Sequence, residues 1–289
     1  MGKYTDKLAK RISTRGPKQG YCVICGKWGN LSRDHVPPKG CNNLSDAEIR
    51  FLHPPQDTAH QRVTSQGGVT FRTLCGDCNS GRLGAEYDPA LINLSNEITQ
   101  LSLSARGRSI ALPQTIPCLI RPQRIARAIV GHVIAVLSVN EVSEGLKSNP
   151  IIDVMREYFL EPNAALPVGL AIYFWVYPHR RQVIIKNMAK MVQNKDGQNV
   201  FVTGHIIKFL PLGFWLTFNS PSVDSPLIHS LVEDNAMGLD DVTLVNLDIY
   251  SLLHPDFPEA PVGNQMMMYD SNYGAEANPK ARIKGSVSN

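Results

Sequence analysis

Long hydrophobic runs are missing from this chain of 289 residues. The longest, residues 125–139, is interrupted by Arg127 and His132 and is too short to span a bilayer. No apolar stretch follows a charged N-terminal start, so neither a secretion signal nor a membrane partner is expected, and the expected location is cytoplasmic. Charge of one sign is also scarce. The net charge is +4, charged residues make up 19% and hydrophobic ones 43%, a balance that excludes a disordered chain and fits a globular protein. No internal repeat is present, which argues against a solenoid. Cysteine is sparse, but four of the six occur in x2 pairs, and without a secretion signal that spacing suggests metal binding rather than disulfides. The two left over, Cys41 and Cys118, read as buried small hydrophobes.

The modest charge is unevenly placed. Residues 1–110 carry 15 Lys+Arg against 9 Asp+Glu, and residues 111–289 carry 14 against 16. The opening stretch holds Lys3, Lys7, Lys10, Arg11, Arg15 and Lys18 against Asp6 alone. Such an arm over residues 1–20 suits a phosphate backbone, or else is a solvated, partly frayed helix over 3–12. The length suggests two domains. A knuckle and hairpin cover 21–36 with a turn at 27–30, a brief helix 42–50, a polar loop 51–66 and a strand 69–74. A helix follows from Cys78, breaks near Pro89 and resumes through Leu91, Ile92, Leu94, Ile98 and Leu101. A boundary near 105–113 closes a first unit, 21–107. The second, 108–254, is α+β. It has helices from Pro122 and over 150–160, and strands over 168–177, 182–187, 199–209, 213–219 and 243–250. Hairpins are expected at 179–181 and 194–197. Residues 255–289, rich in Pro, Gly, Asn and Ser, read as a flexible tail.

Chemistry concentrates in the first unit. Cys22-Val23-Ile24-Cys25 and Cys75-Gly76-Asp77-Cys78 are two C-x2-C knuckles about 50 residues apart, and four thiolates from such pairs can close the tetrahedral shell of one structural zinc. Between them lies Asp34-His35-Val36-Pro37-Pro38-Lys39, a carboxylate beside an imidazole at the end of a β-prone segment. Neighbours on a strand point to opposite sides, so both serve one centre only if the strand ends or twists there, and Pro37-Pro38 provides the stop. Asn79 directly follows the fourth cysteine. A carboxylate and an amide oxygen, Asp34 and Asn79, suit Mg²⁺ or Mn²⁺ rather than zinc, and a neutral imidazole beside such an ion can take a proton from water.

The order Cys-x2-Cys, Asp-His-x-Pro, Leu-Cys-x2-Cys-Asn resembles the HNH (ββα-metal) endonuclease family in its zinc-stapled form, over about residues 20–90. The resemblance implies an α+β chain: an N-terminal ββα-metal module followed by an α+β C-terminal domain of unassigned role, available to an oligomeric or regulatory partner. It implies a DNA phosphodiester hydrolase that leaves a 5′-phosphate and a 3′-hydroxyl. His35 matches the general base, and Asp34 and Asn79 match the ligands of the catalytic ion. By family habit it implies a role in defence or mobile elements. The chain departs from the pattern at the middle Asn, which many members carry shortly before the third cysteine to orient the histidine. Here that stretch is Val69-Thr70-Phe71-Arg72-Thr73-Leu74, so Asn42, Asn43 or a backbone carbonyl would have to take over. Lys39 and Arg82 are candidate phosphate contacts. Glu86 and Asp88 could enter a second metal shell or merely solvate a helix end, and His53 and His60 read as bystanders. The rival reading is a zinc-ribbon nucleic-acid-binding or regulatory protein without catalysis.

Overall fold

A computed structural model describes residues 16–51, 63–108, 114–137, 141–193, 197–219, 227–234, 236–249, 251–261, 263, 265–269 and 275–279. The architecture is mixed α+β with sheets dominant. A three-stranded antiparallel sheet orders β1 (Gln19–Tyr21), β2 (Trp28–His35) and β5 (Thr70–Cys75) as β1-β2-β5. From β5 the chain enters a π-helix, Asp77–Tyr87, which continues without a break into α1, Asp88–Arg108. Pro89 therefore does not stop the helix. It lies just past the point where the π-helical stretch passes into α1. The expected turn at 27–30 lies instead at the knuckle, because Trp28 and Asn30 already pair with β1.

Beyond it, β6 (Thr115–Ile120) pairs with β12 (Thr243–Asp248) as a two-stranded ribbon. Helix α2 spans Pro122–Leu137, α3 Glu141–Glu144 and α4 Pro150–Leu160. Asn149 caps α4 by accepting from the N–H groups of Ile151 and Ile152, at 3.1 and 3.3 Å. The large sheet runs β11-β7-β10-β9-β8-β14-β3-β4, with β13 also on β8. Its strands are β3 (Asp46–Phe51), β4 (Val63–Gln66), β7 (Leu170–Val176), β8 (Gln182–Gln193), β9 (Asn199–Phe209), β10 (Leu212–Phe218), β11 (His229–Ser230), β13 (Met267–Met268) and β14 (Ala275–Pro279).

Four expectations need correction. The brief helix over 42–50 is strand β3, because Ala47 and Ile49 are buried at a period of two between β4 and β14. The turn at 179–181 joins no hairpin, since β10 and β9 lie between β7 and β8. The supposed tail supplies β13 and β14, and β14 bridges β8 to β3. Upstream of them the 255–260 segment is pinned from below, where buried Lys208 donates to the carbonyls of Pro255 and Phe257 at 2.6 and 3.0 Å and Lys190 to that of Pro258 at 3.2 Å. Residues 280–289 lie outside the described part, as do 1–15, most of the basic arm, and His53 and His60. Finally, the boundary near 108 is no break in packing. One apolar core runs from Cys22 through Leu83, Ile129 and Phe159 to Ala277. At Gly131 the backbone of α2 passes so close to α4 and the π-helix that a Cβ would stand 2.6 Å from the Phe159 ring and 3.0 Å from Leu83.

Candidate functional site

The cysteines meet because three elements end together. β1 runs into the first knuckle, whose Val23 N–H donates to the Thr73 carbonyl of β5 at 3.0 Å, while Cys75 closes β5 opposite Leu31 and Cys78 opens the π-helix. Arg156 on α4 donates from Nε to the Val23 carbonyl, 2.8 Å away, and is neutralised by Asp153 and Glu141. All four sulfurs lie within 4.8 Å of one another, and all six cysteines are free thiols. The Cys25–Cys75 separation of 3.7 Å is close to the ~3.8 Å edge of a tetrahedron with bonds of about 2.3 Å. Proton affinities divide unevenly within the cluster. A hydrogen bond from Cys78 pulls Cys22 down to about 5, burial pushes Cys25 up to about 11, and Cys78 rises through the same hydrogen bond and burial. Four thiolates cannot share so small a space without a cation. The cluster could bind a structural metal ion such as zinc, as its spacing in the sequence suggested.

Alternation along β2 turns Ser32 and Asp34 to the same face, and their contacts agree. Ser32 Oγ donates to the Leu74 carbonyl at 3.0 Å and accepts from the Asn79 amide at 2.9 Å. Two residues on, buried Asp34 meets α2. Its Oδ2 lies 3.1 Å from Nδ1 of His132, whose Nε2 lies 3.0 Å from Oδ1 of Asp88 at the head of α1. The register between β2 and β5 carries one extra residue here, with Arg72 and Thr73 opposite Arg33. Thr73 then reaches the Ala135 carbonyl of α2 at 2.9 Å. Burial would lower the proton affinity of His132, but the carboxylates of Asp34 and Asp88 outweigh it and raise its pKa to about 10. Burial raises that of Asp88 in turn. Each ring nitrogen thus faces a carboxylate oxygen.

His35 ends the strand half-buried. Its Nε2 lies 3.2 Å from the Gly67 carbonyl, an acceptor only, so Nε2 carries the hydrogen and Nδ1 is left bare. Burial lowers the proton affinity of the ring, and the nearby Lys39 charge lowers it further. The Gly67 carbonyl is itself held. Both Gly67 and Gly68 adopt positive φ, at 84° and 92°, and their N–H groups converge on the Ser45 carbonyl at 2.6 and 3.2 Å. Asn43 braces the same turn by donating to the Pro37 carbonyl at 2.5 Å and accepting from the Val69 N–H at 3.4 Å. A backbone carbonyl thus orients the ring, with Asn43 behind it. Asn42 stands apart, donating to Thr99 and the Leu210 carbonyl.

Of the two candidate phosphate contacts, Lys39 is exposed beside His35, whereas Arg82 is engaged with the Leu160 carbonyl at the end of α4. The carbonyl of Glu86 accepts from Arg124 at 2.6 Å. Cys41 and Cys118 are buried, and burial pushes Cys118 up to about 11. Sequence reasoning missed His132 and the partner role of Asp88. The available signal was a histidine on the apolar face of α2, where an imidazole needs polar company. No family model matches the chain, and neither curated proteins nor solved structures give a significant match.

Proposed function

We propose that the protein is a metal-dependent DNA endonuclease of the HNH type, with a zinc-stapled ββα-metal module built from β2, β5 and the π-helix. The observation that carries this reading is the tethering of His35 through Nε2, which leaves a neutral Nδ1 at the surface beside Lys39. Such a nitrogen can take a proton from water as the oxygen attacks phosphorus, and the bond to the 3′ oxygen breaks to leave a 5′-phosphate. Asp34 Oδ1 and the Asn79 amide oxygen have no protein partner among the described residues, and Asn79 bonds to Ser32, which lies on the same face of β2 as Asp34. These oxygens suit a hard cation, Mg²⁺ or Mn²⁺, which would supply Lewis-acid stabilisation of the phosphate and leaving oxygen. In this reading the exposed Lys39 holds a neighbouring phosphate.

The test is nicking of supercoiled plasmid by the full chain with Mg²⁺ or Mn²⁺. Cleavage by the wild type and none by His35→Ala is the expected result. The near-complete burial of Asp34 against His132 favours a second reading, in which Asp34 is structural and the protein binds nucleic acid without cutting it. Salt-dependent DNA binding with no nicking under either cation would select that reading instead.

A further inference from the structure

The imidazole of His132 is the most unusual buried group outside the reactive residues. It is fully enclosed, and a carboxylate from a different element stands at each ring nitrogen, 3.1 Å on the β2 side and 3.0 Å on the α1 side. Two carboxylates and one imidazole are costly to bury, and an aliphatic cluster of similar volume would serve the core as well or better. Three features point away from simple packing. The ring grips one oxygen of Asp34 and leaves the other without a partner among the described residues. Asp88, which holds the far side of the ring, rides on the same uninterrupted helix as Asn79. And α2 is locked to the adjoining strand by the Thr73–Ala135 bond, so the ring cannot drift relative to β2. We propose that His132 is a positioning residue: clamped by Asp88, it fixes the Asp34 carboxylate so that Oδ1 is the oxygen offered to the divalent ion. The inference rests on the nuclease reading for the identity of that ion as Mg²⁺ or Mn²⁺. Partners that orient a ligand in this way are commonly worth about 10–100-fold in metal affinity.

Two substitutions of the same ring separate positioning from packing. In His132→Asn the side-chain amide falls where Nδ1 stood and can still donate to Asp34, while the bond to Asp88 is lost. In His132→Gln the amide falls where Nε2 stood, keeps Asp88 and abandons Asp34. Mn²⁺ binding to the full-length, zinc-loaded protein is followed by loss of the free-ion EPR signal, with Asp34→Ala as the reference for loss of the ligand. The glutamine variant should bind Mn²⁺ about 10–100-fold more weakly, and the asparagine variant, which keeps the bond to Asp34 but loses the clamp, about threefold to tenfold. Equal shifts, or none, would overturn the proposal, because a packing role treats the two amides alike. If neither variant folds, Asp88→Ala decides, since it too keeps the bond to Asp34 and loses the clamp: Mn²⁺ binding weakened at least about threefold supports positioning, and unchanged binding overturns it. Wild-type protein that binds Mn²⁺ through Asp34 yet nicks no DNA would end the nuclease reading alone. Wild-type protein that binds no Mn²⁺ would end both.

Discussion

At His35 the hydrogen on Nε2 is committed to the Gly67 carbonyl, and in the proposed reaction Nδ1 is the nitrogen that takes the proton. Removing a half-exposed ring disturbs little packing, so His35→Ala should lower the nicking rate by about 10²–10⁴ while melting temperature and zinc content stay at wild-type values. A comparable loss of melting temperature would make the residue structural. A second histidine bears on stability. Burial, with the Lys186 charge behind it, pushes His205 down to about 3, and its Nδ1 accepts from the Asn187 N–H at 3.1 Å. The unfolded chain takes up this proton near its ordinary value of 6.5. The stability tied to the neutral ring is therefore complete above 6.5 and drains away as pH falls towards 3. His205→Asn, whose amide oxygen can accept the same bond, should lose less melting temperature than the wild type between pH 6.5 and 4. Parallel curves would show that His205 does not control acid sensitivity.

At the scale of elements, the Gly67–Gly68 turn links the fold to the His35 ring. A Cβ at Gly68 would stand 2.8 Å from Asn43 Oδ1, on a backbone that side chains rarely adopt. Gly68→Ala should cost about 1–3 kcal/mol in a denaturant titration and slow nicking as well, because the displaced turn carries the carbonyl that holds His35. A stable variant with full activity would show that this carbonyl does not orient the base. The cysteine cluster joins β1, β5 and the π-helix at one point, so Cys75→Ser should release zinc and unfold this sheet, read as lost metal content and a lower, broader melt. Helix α2 was legible from its 3.6-residue apolar period, and β9 from its run of β-branched residues. β3 was not, because six residues with a serine before them carry too little pattern to separate helix from strand.

For the whole molecule, the larger apolar core, which runs from Cys22 to Ala277, sets what can be removed. The face of the π-helix and β5 is covered by α2, which brings Gly131 against Leu83, the Ala135 carbonyl to Thr73 and His132 to Asp34. Residues 1–110 made alone should fail to melt cooperatively, and a cooperative transition in that fragment would show that its sheet is self-sufficient. Deleting residues 270–289 should also destabilise the chain, since β14 is the strand that connects β3 and β4 to β8. None of the described helices is long and apolar enough to cross a membrane.

The local grammar of the chain was enough to mark the four cysteines, His35 beside its proline stop, Asn79 after the last cysteine, and most strands beyond residue 168. Those features depend on residue type, short spacing and periodicity, which neighbours along the chain already define. Only the tertiary structure decided that Arg82 is engaged at the end of α4, that the Gly67 carbonyl holds the His35 ring, and that 275–279 is a bridging strand. It alone revealed the pairing of Asp34, His132 and Asp88, which are 98 and 44 residues apart at their two bonds. No sequence period spans such distances. What joins them is the packing of α2 across the sheet, where burial leaves each polar group only the partner that the fold brings to it.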